Sequence, residues 1–295
     1  GTFYSVVLKE GTTVFDSGTY TNNITTNNGE FVIGGLDTVG TNTQVTLNNA
    51  AILNGIEWLS VGRGNGTGTT SNNLTLNGSS AITTVNLSAG FNGGNASTAP
   101  KGVITLNGTS SISVANTVNF AESAGSNFTL NLNDTSTFSQ TANAAQTRIG
   151  QANGTVGAVN VNGGTANFER DVTFGYAGTG TGSLVLTTGT VNVATTATRW
   201  MKVGELNGAS GTVTVNGGNI NLNTNSSLKF AVGASSTGIN VVTLNGGAIT
   251  AFSDNKVTAT GSGIVDLNTA GAAASSNTFN LNGGTLAVRA VVTTS

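Results

Sequence analysis

Apolar and polar residues alternate along most of this chain in short runs, and each run ends at Gly or Asn. The segment 199–224 contains three such runs, at 201–203 (Met-Lys-Val), 213–215 (Val-Thr-Val) and 220–222 (Ile-Asn-Leu). Alternation with a period of two predicts β-strands. Gly and Asn tolerate the backbone conformations of tight turns. The segment therefore predicts three short strands joined by turns.

This three-strand unit is repeated along the chain. An apolar-x-apolar-Asn-Gly-Gly phrase occurs with its asparagine at Asn162, Asn216, Asn245 and Asn282, and shorter forms occur at 45–48, 74–78 and 104–108. A second phrase, an apolar residue followed by glycine, occurs at Gly150, Gly175, Gly204 and Gly233. The second phrase precedes the asparagine position by 12 residues each time, with Thr187 in that position once, and the copies are 25, 29 and 29 residues apart. Two markers with one shared period indicate a single structural unit copied many times.

Two all-β architectures are compatible with strands of this kind. An antiparallel sandwich or barrel explains the frequent turns but gives no reason for the long period. A parallel β-solenoid, or β-helix, explains the period as one coil. We therefore predict a single-stranded parallel β-solenoid with three short strands per coil of about 25–30 residues, roughly nine or ten coils and a length of roughly 45–50 Å. Equivalent residues then stack, and Asn162, Asn216, Asn245 and Asn282 are expected to form an asparagine ladder.

The repeated pattern of Gly, Asn and Val residues resembles the autotransporter-associated β-strand repeats of large bacterial surface proteins. The resemblance covers about residues 40 to 290. It implies a right-handed parallel β-helix and a role among exported passengers, adhesins and matrix components. The residues that carry it are the turn residues, so the resemblance is specific for architecture and weak for activity.

The amino-acid composition narrows the range of functions that the chain could have. Charged residues make up 7% of the chain, the net charge is −2, and Cys and His are absent. Nucleic-acid binding needs Lys and Arg concentrated on one face, and a membrane span needs about 20 apolar residues, so we expect neither nucleic-acid binding nor membrane insertion. Without thiol or imidazole ligands we expect no metal, no cofactor and no catalytic residue. The chain starts at Gly1 rather than Met, which favours a processed protein that is secreted to the extracellular space or the cell surface.

A few side chains remain as candidates for surface contacts. Trp58 and Trp200 have the opposite parity to their apolar neighbours, so we expect them to face outward, where tryptophan contacts sugars or proteins. Glu57, Arg170 and Arg199 each stand five residues before their glycine and are expected to line one ridge. Enzymes that degrade polysaccharides need paired acidic residues. The densest charged cluster in the chain is Glu169-Arg170-Asp171, so such an enzyme is the least favoured hypothesis.

The two ends of a solenoid are unpaired unless something covers them. We divide the chain into an N-terminal β segment that caps or assembles (1–35), the solenoid repeats (36–284) and a C-terminal strand (285–295). Strand-forming residues of the two ends are the candidate assembly contacts: Phe3, Tyr4, Val6, Val7 and Leu8 at one end, and Leu286, Val288, Val291 and Val292 at the other. Head-to-tail contacts between unlike ends do not close and produce filaments.

The expected function is a structural, non-enzymatic subunit of an extracellular filament or matrix. Its main partners would be copies of itself, joined head-to-tail by strand pairing of the termini. The alternative is a cell-surface adhesin or a rod that binds surface glycans through Trp58 and Trp200. Intramolecular docking of both ends is the structural alternative to assembly.

Overall fold

The computed structural model of the protein describes residues 2–22, 29–35, 42–64, 71–91, 100–141, 146–194, 198–223, 226–251, 263–270 and 274–293. All regular elements in these ranges are β-strands. Accordingly, this part of the chain contains no helix with the length and hydropathy of a membrane span.

The strands follow one another in the order β1 (Thr2–Phe3), β2 (Val6–Leu8), β3 (Gly11–Phe15), β4 (Thr19–Asn22), β5 (Glu30–Ile33), β6 (Thr43–Leu47), β7 (Ile52–Val61), β8 (Ser71–Leu76), β9 (Ala81–Ala89), β10 (Lys101–Leu106), β11 (Ser111–Val114), β12 (Val118–Phe120), β13 (Asn127–Asn133), β14 (Thr137–Gln140), β15 (Thr147–Ile149), β16 (Val156–Phe168), β17 (Val172–Phe174), β18 (Thr181–Val193), β19 (Trp200–Val203), β20 (Ser210–Val215), β21 (Asn219–Leu222), β22 (Ser227–Phe230), β23 (Ile239–Leu244), β24 (Ala248–Ala251), β25 (Ile264–Asp266), β26 (Ser276–Leu281), β27 (Thr285–Val288) and β28 (Ala290–Val292).

Each strand pairs in parallel with its equivalents in the neighbouring coils, and the pairings build three sheets. Sheet A contains β1, β4, β7, β9, β11, β14, β16, β18, β21, β24 and β27. Sheet B contains β2, β5, β7, β9, β12, β15, β17, β19, β22, β25 and β28. Sheet C contains β3, β6, β8, β10, β13, β16, β18, β20, β23 and β26. Four long strands turn a corner and belong to two sheets: β7 and β9 join A to B, and β16 and β18 join C to A.

The predicted parallel β-solenoid with three strands per coil is therefore confirmed. The coil count differs slightly from the nine or ten expected, because the described strands stack eleven high in sheets A and B and ten high in sheet C. The segments 1–35 and 285–295 contribute the first and last strands of the same sheets, so they continue the solenoid at its two ends.

The core lies between the three sheets and is filled by every second residue of each strand. Val213 and Val215 are 1% and 0% exposed, as the period-two pattern predicts. Phenylalanines fill the widest parts of the core, and Phe138 lies 6.1 Å from Phe120 and 6.2 Å from Phe168 between ring centroids. Because equivalent positions stack, each coil buries its apolar side chains against those of the coils above and below.

The turn that leaves sheet B explains one of the two repeated phrases. Gly150, Gly175 and Gly204 occupy it with φ of 76°, 76° and 70°, in the left-handed region that favours glycine. In the next coil Phe230 pairs with Val203, so Ala231, with φ of 47°, occupies the turn. Gly233 lies two residues further on, and its assignment as the fourth copy of the phrase is wrong.

Coil length also varies more than the predicted period. Val159 and Leu184 are paired residues of successive coils that stand 25 residues apart. Val242 and Phe279 are paired as well but stand 37 residues apart. The described strands keep their register across this difference in length.

Candidate functional site: two end faces and a charged groove

Asparagine amides form hydrogen-bonded ladders at the turn that follows sheet C. In the first ladder each side-chain Nδ2 donates to the Oδ1 one coil before it, over 2.8–3.3 Å, through Asn48, Asn77, Asn107, Asn133 and Asn162. In the second, Asn245 donates to Asn216 at 2.9 Å and Asn282 donates to Asn245 at 2.8 Å. Thr187 lies between the two ladders. The four predicted ladder residues thus bond to neighbouring asparagines, and their role is to hold the turns together.

The N-terminal end face carries apolar side chains that are only partly covered. Phe3, Val6 and Leu8 pack against the core but stay half-buried, as do Phe15 and Tyr20. Of the other predicted assembly residues at this end, Val7 is half-buried and Tyr4 is 66% exposed.

The C-terminal end face has the same character. Leu286 and Val288 pack against the core and stay half-buried. Val291 is 53% exposed and Val292 is half-buried. Val291 is the last residue of a stack of paired, mostly apolar residues in sheet B, and Val6 is the first residue of that stack.

These two faces are where the apolar core meets solvent. In the part of the chain that the structure describes, the partly buried apolar residues packed against the core lie in the first two coils or the last two: Phe3, Val6, Leu8, Phe15, Tyr20, Leu267, Phe279, Leu286 and Val288. The strands β1, β2 and β3 at one end, and β26, β27 and β28 at the other, each pair on one side within these residues. Each end therefore presents strand edges beside exposed apolar surface.

A different surface runs along the outside of sheet B. In the outward-facing stack of paired residues that runs from Val7 to Val292, most residues are buried, and only Val7, Arg148 and Val292 are half-buried, whereas the outward-facing residues of sheets A and C are half-buried or exposed. Val32 belongs to the buried set, and its polar and charged members are Ser60, Ser88, Asn119, Thr173, Lys202, Lys229 and Asp266, all between 0% and 8% exposed. We refer to these residues as the floor of the charged groove. Side chains from the turns on both sides of sheet B cover this floor.

An ion-pair network occupies the middle of the groove. The Lys202 Nζ lies 3.2 Å from an Asp171 carboxylate oxygen and donates to Glu205 at 2.9 Å. The Thr173 hydroxyl donates to the other Glu205 oxygen at 2.9 Å. The Trp200 backbone N–H donates to Asp171 at 3.0 Å. Because the ammonium group contacts two carboxylates and these accept further hydrogen bonds, its burial is compensated.

Aromatic rings on the groove walls are paired with cations. Arg148 lies over the Tyr176 ring at 4.3 Å from its centroid. The Trp200 ring has the Lys229 ammonium at 3.8 Å and that of Lys202 at 5.5 Å. Burial lowers the pKa of Lys229, although Asp266 and Asp171 act in the opposite direction. Trp200 is thus half-buried and covers the two lysines.

A pocket of about 150 Å³ lies towards the N-terminal end of the groove. It is lined by Glu30, Trp58, Ser60, Arg63, Ser88, Phe91 and Glu122. Arg63 forms an ion pair with Glu30 and lies over the Phe91 ring at 5.7 Å. Ser88 donates to the Glu122 carboxylate. Burial raises the pKa of Glu122, against the opposing hydrogen bonds from Ser88 and Asn119.

Glu57, Arg170 and Arg199 stand in line along the coil stack, as the predicted ridge requires, but they do not form a cluster. These residues precede equivalent positions of sheet B, but four coils separate Glu57 from Arg170. Those steps amount to roughly 19 Å at the usual strand spacing. Arg170 and Arg199 lie in adjacent coils and carry the same charge.

The sequence pattern did not predict the groove floor, because an outward-facing position of a strand is normally expected to be exposed to solvent. The signal was present in the sequence, since Lys202 and Lys229 each stand between two inward apolar residues one position before the end of a sheet B strand. Within the described ranges no three His, Cys, Asp or Glu residues form a group that could hold a metal ion.

Comparison of this chain with protein-family models, with curated proteins and with solved structures found no match in any of the three.

Proposed function

We propose that this protein is a structural, non-enzymatic subunit of an extracellular filament or matrix that assembles head-to-tail through its two end faces. The observation that carries the proposal is the position of the partly covered core, which in the described residues is confined to the two ends of the solenoid. Exposed strand edges beside apolar surface favour pairing with another chain.

A second copy of the chain fits these faces well because every coil has the same three-sheet cross-section. Stacking the first coil of one copy on the last coil of another brings β1 against β27 and β2 against β28. Val6 then follows Val291 in the same stack of sheet B. Since the two ends are unlike, the contact is heterologous and leaves a free end for further growth.

The extracellular location rests on the composition and on the resemblance to repeats of bacterial surface proteins. A chain without cysteine or histidine and with few charges offers little for catalysis. Stacked backbone hydrogen bonds and asparagine ladders suit a load-bearing role.

The test compares two end variants with a variant of the side surface. Val6→Lys and Val291→Lys each introduce a charge into one end face, so each is expected to abolish filaments in electron micrographs and to give monomers in light scattering. Val156→Lys is the control, because Val156 is 45% exposed and lies in β16, in the middle of sheet C and away from both ends. It should form filaments as the parent chain does.

Mixing the two end variants makes the test directional. The Val6→Lys protein keeps an unaltered C-terminal face and the Val291→Lys protein keeps an unaltered N-terminal face. An equimolar mixture should therefore give a dimer that does not grow further, whereas each variant alone stays monomeric. A parent chain that remains monomeric at high concentration, or filaments that survive both substitutions, would overturn the proposal. Far-UV circular dichroism of each variant checks that the solenoid is retained.

A further inference from the structure

The two tryptophans of the groove differ in what covers them. Trp200 is occupied by two lysine ammonium groups, at 3.8 Å and 5.5 Å from its ring centroid. Trp58 also lies on the groove wall, five coils away in the same position before its sheet B strand. In the described residues no cation lies over its ring, and the ring lines the pocket. Trp58 therefore has an aromatic surface available to a ligand.

The polar groups around Trp58 suit hydroxyl groups. Ser60 and Ser88 line the pocket from the floor, where they are 3% and 4% exposed, and the Ser88 hydroxyl is held in place by its hydrogen bond to Glu122. Glu30 and Glu122 provide carboxylate oxygens, which accept hydrogen bonds in several directions. An aromatic ring beside a few fixed donors and acceptors is the usual composition of a small-molecule site.

The charges of the side chains that line the pocket favour neutral over anionic ligands among those that carry hydroxyl groups. Arg63 neutralises Glu30 through their ion pair, and Glu122 has no cationic partner within ion-pair distance in the described residues. The burial that raises the pKa of Glu122, against the opposing charge of Arg148, also disfavours a further negative charge in the pocket. An anionic ligand would meet this carboxylate with Arg63 already paired to Glu30 and with the charge of Arg148 acting only from beyond ion-pair distance, whereas a neutral ligand would meet no such repulsion.

From these contacts we infer that the pocket is a binding subsite for one ring of a neutral saccharide, stacked on Trp58. Cavities of about 150 Å³ accept a benzene-sized molecule, which is the scale of a single pyranose ring. The pocket spans four coils, from Glu30 to Glu122, or roughly 14 Å at the usual strand spacing. The groove continues beyond it, so adjoining sugar units of a longer chain have room along the floor.

The experiment uses the Trp200→Phe chain, in which Trp58 is the single tryptophan and its fluorescence reports on the pocket alone. Glucose and N-acetylglucosamine, and their trisaccharides, are the neutral probes. Trigalacturonic acid is the anionic probe. We expect saturable changes in fluorescence with the neutral probes, with dissociation constants in the millimolar range for the single sugars and lower values for the trisaccharides, and no saturation with the anionic probe.

Calorimetric titration of the chain that retains Trp200 locates the site. Trp58→Ala should weaken trisaccharide binding by about tenfold or more, which is about 1.4 kcal/mol or more, since both the stacking on the ring and its buried area are lost. Trp58→Phe should retain most of the affinity, and Trp200→Ala should leave it unchanged. Carrying out the titrations in the Val291→Lys background keeps the result independent of assembly.

Three outcomes overturn the inference. One is the absence of saturation by any neutral probe, another is binding that survives Trp58→Ala, and the third is tighter binding of trigalacturonic acid than of the neutral trisaccharides. None of them bears on filament formation, which is measured separately.

Discussion

At the scale of single residues, the turn after sheet B is formed by glycine in some coils and by alanine in others. The turn after sheet B needs a left-handed backbone, and most coils place glycine there. Ala231 adopts the conformation with φ of 47° and is fully buried. A left-handed conformation costs a non-glycine residue about 1–2 kcal/mol, so this coil, like the coil in which Ala121 occupies the same turn with φ of 54°, tolerates strain that the glycine-containing coils avoid.

Substitution at this turn should have strongly different effects in different coils. At Gly175 a Cβ atom would lie 2.3 Å from the backbone oxygen of Ser210, and φ is 76°. Gly175→Ala should therefore destabilise the solenoid by about 3 kcal/mol, from backbone strain and the clash together. Ala231→Gly is the matched control, where relief of strain and loss of a buried methyl group nearly cancel. Thermal midpoints by circular dichroism measure both, and equal stability of Gly175→Ala and the parent chain would contradict the prediction.

At the scale of the element, sheet B differs from the other two sheets because its outer face is covered. The strands β17 and β19 place Thr173 and Lys202 side by side on the groove floor. The turns on either side supply the carboxylates of Asp171 and Glu205. The network thus connects two successive coils through side chains in addition to the backbone ladder.

Removing one charged member of this network should lower the stability of the fold more than neutralising all three charged members together. Lys202→Met leaves two carboxylates close together without their ammonium partner, and breaking a buried pair in this way costs about 3–5 kcal/mol. The triple variant Lys202→Met, Asp171→Asn, Glu205→Gln retains shape without charge and should recover much of the loss. Hydrogen exchange of the β19 amides together with thermal midpoints tests this. A Lys202→Met chain as stable as the parent would show that the network contributes little.

At the scale of the whole molecule, unequal sheets set the geometry of assembly. Sheets A and B contain eleven strands and sheet C contains ten. A head-to-tail stack that continues sheets A and B is therefore one strand short in sheet C at each junction.

The proposed filament should show this spacing directly. Eleven strands at the usual separation give an axial repeat of roughly 53 Å, with a strong reflection near 4.8 Å from the strand spacing. Each repeat should contain a gap one strand wide on one of three faces. Helical reconstruction from electron micrographs of the parent chain measures both features. A repeat of twice this length, or subunits that alternate in direction, would exclude head-to-tail stacking.

The sequence was sufficient to predict those parts of the fold in which a residue pattern has a single physical explanation. Alternation fixed the inward residues such as Val213 and Val215, and stacking of identical turns explains the amide ladders. The charged groove was not predictable in the same way, because burial of Lys202 and Lys229 depends on side chains from turns that precede and follow the strand. Trp58 and Trp200 occupy equivalent positions, yet the residue two positions further along the strand, Ser60 or Lys202, and the neighbours one coil away decide which ring is covered.

The stacking of coils also determines how the rod would yield under tension. Each coil adds only about 4.8 Å to the length of the solenoid but contains 19 to 37 residues. Pulled out as extended chain, one coil supplies on the order of 100 Å of contour. A terminal coil that peels away under load therefore lengthens the molecule about twentyfold relative to its own thickness while the coils below keep their hydrogen bonds. Such a rod dissipates mechanical work coil by coil and is tough rather than brittle.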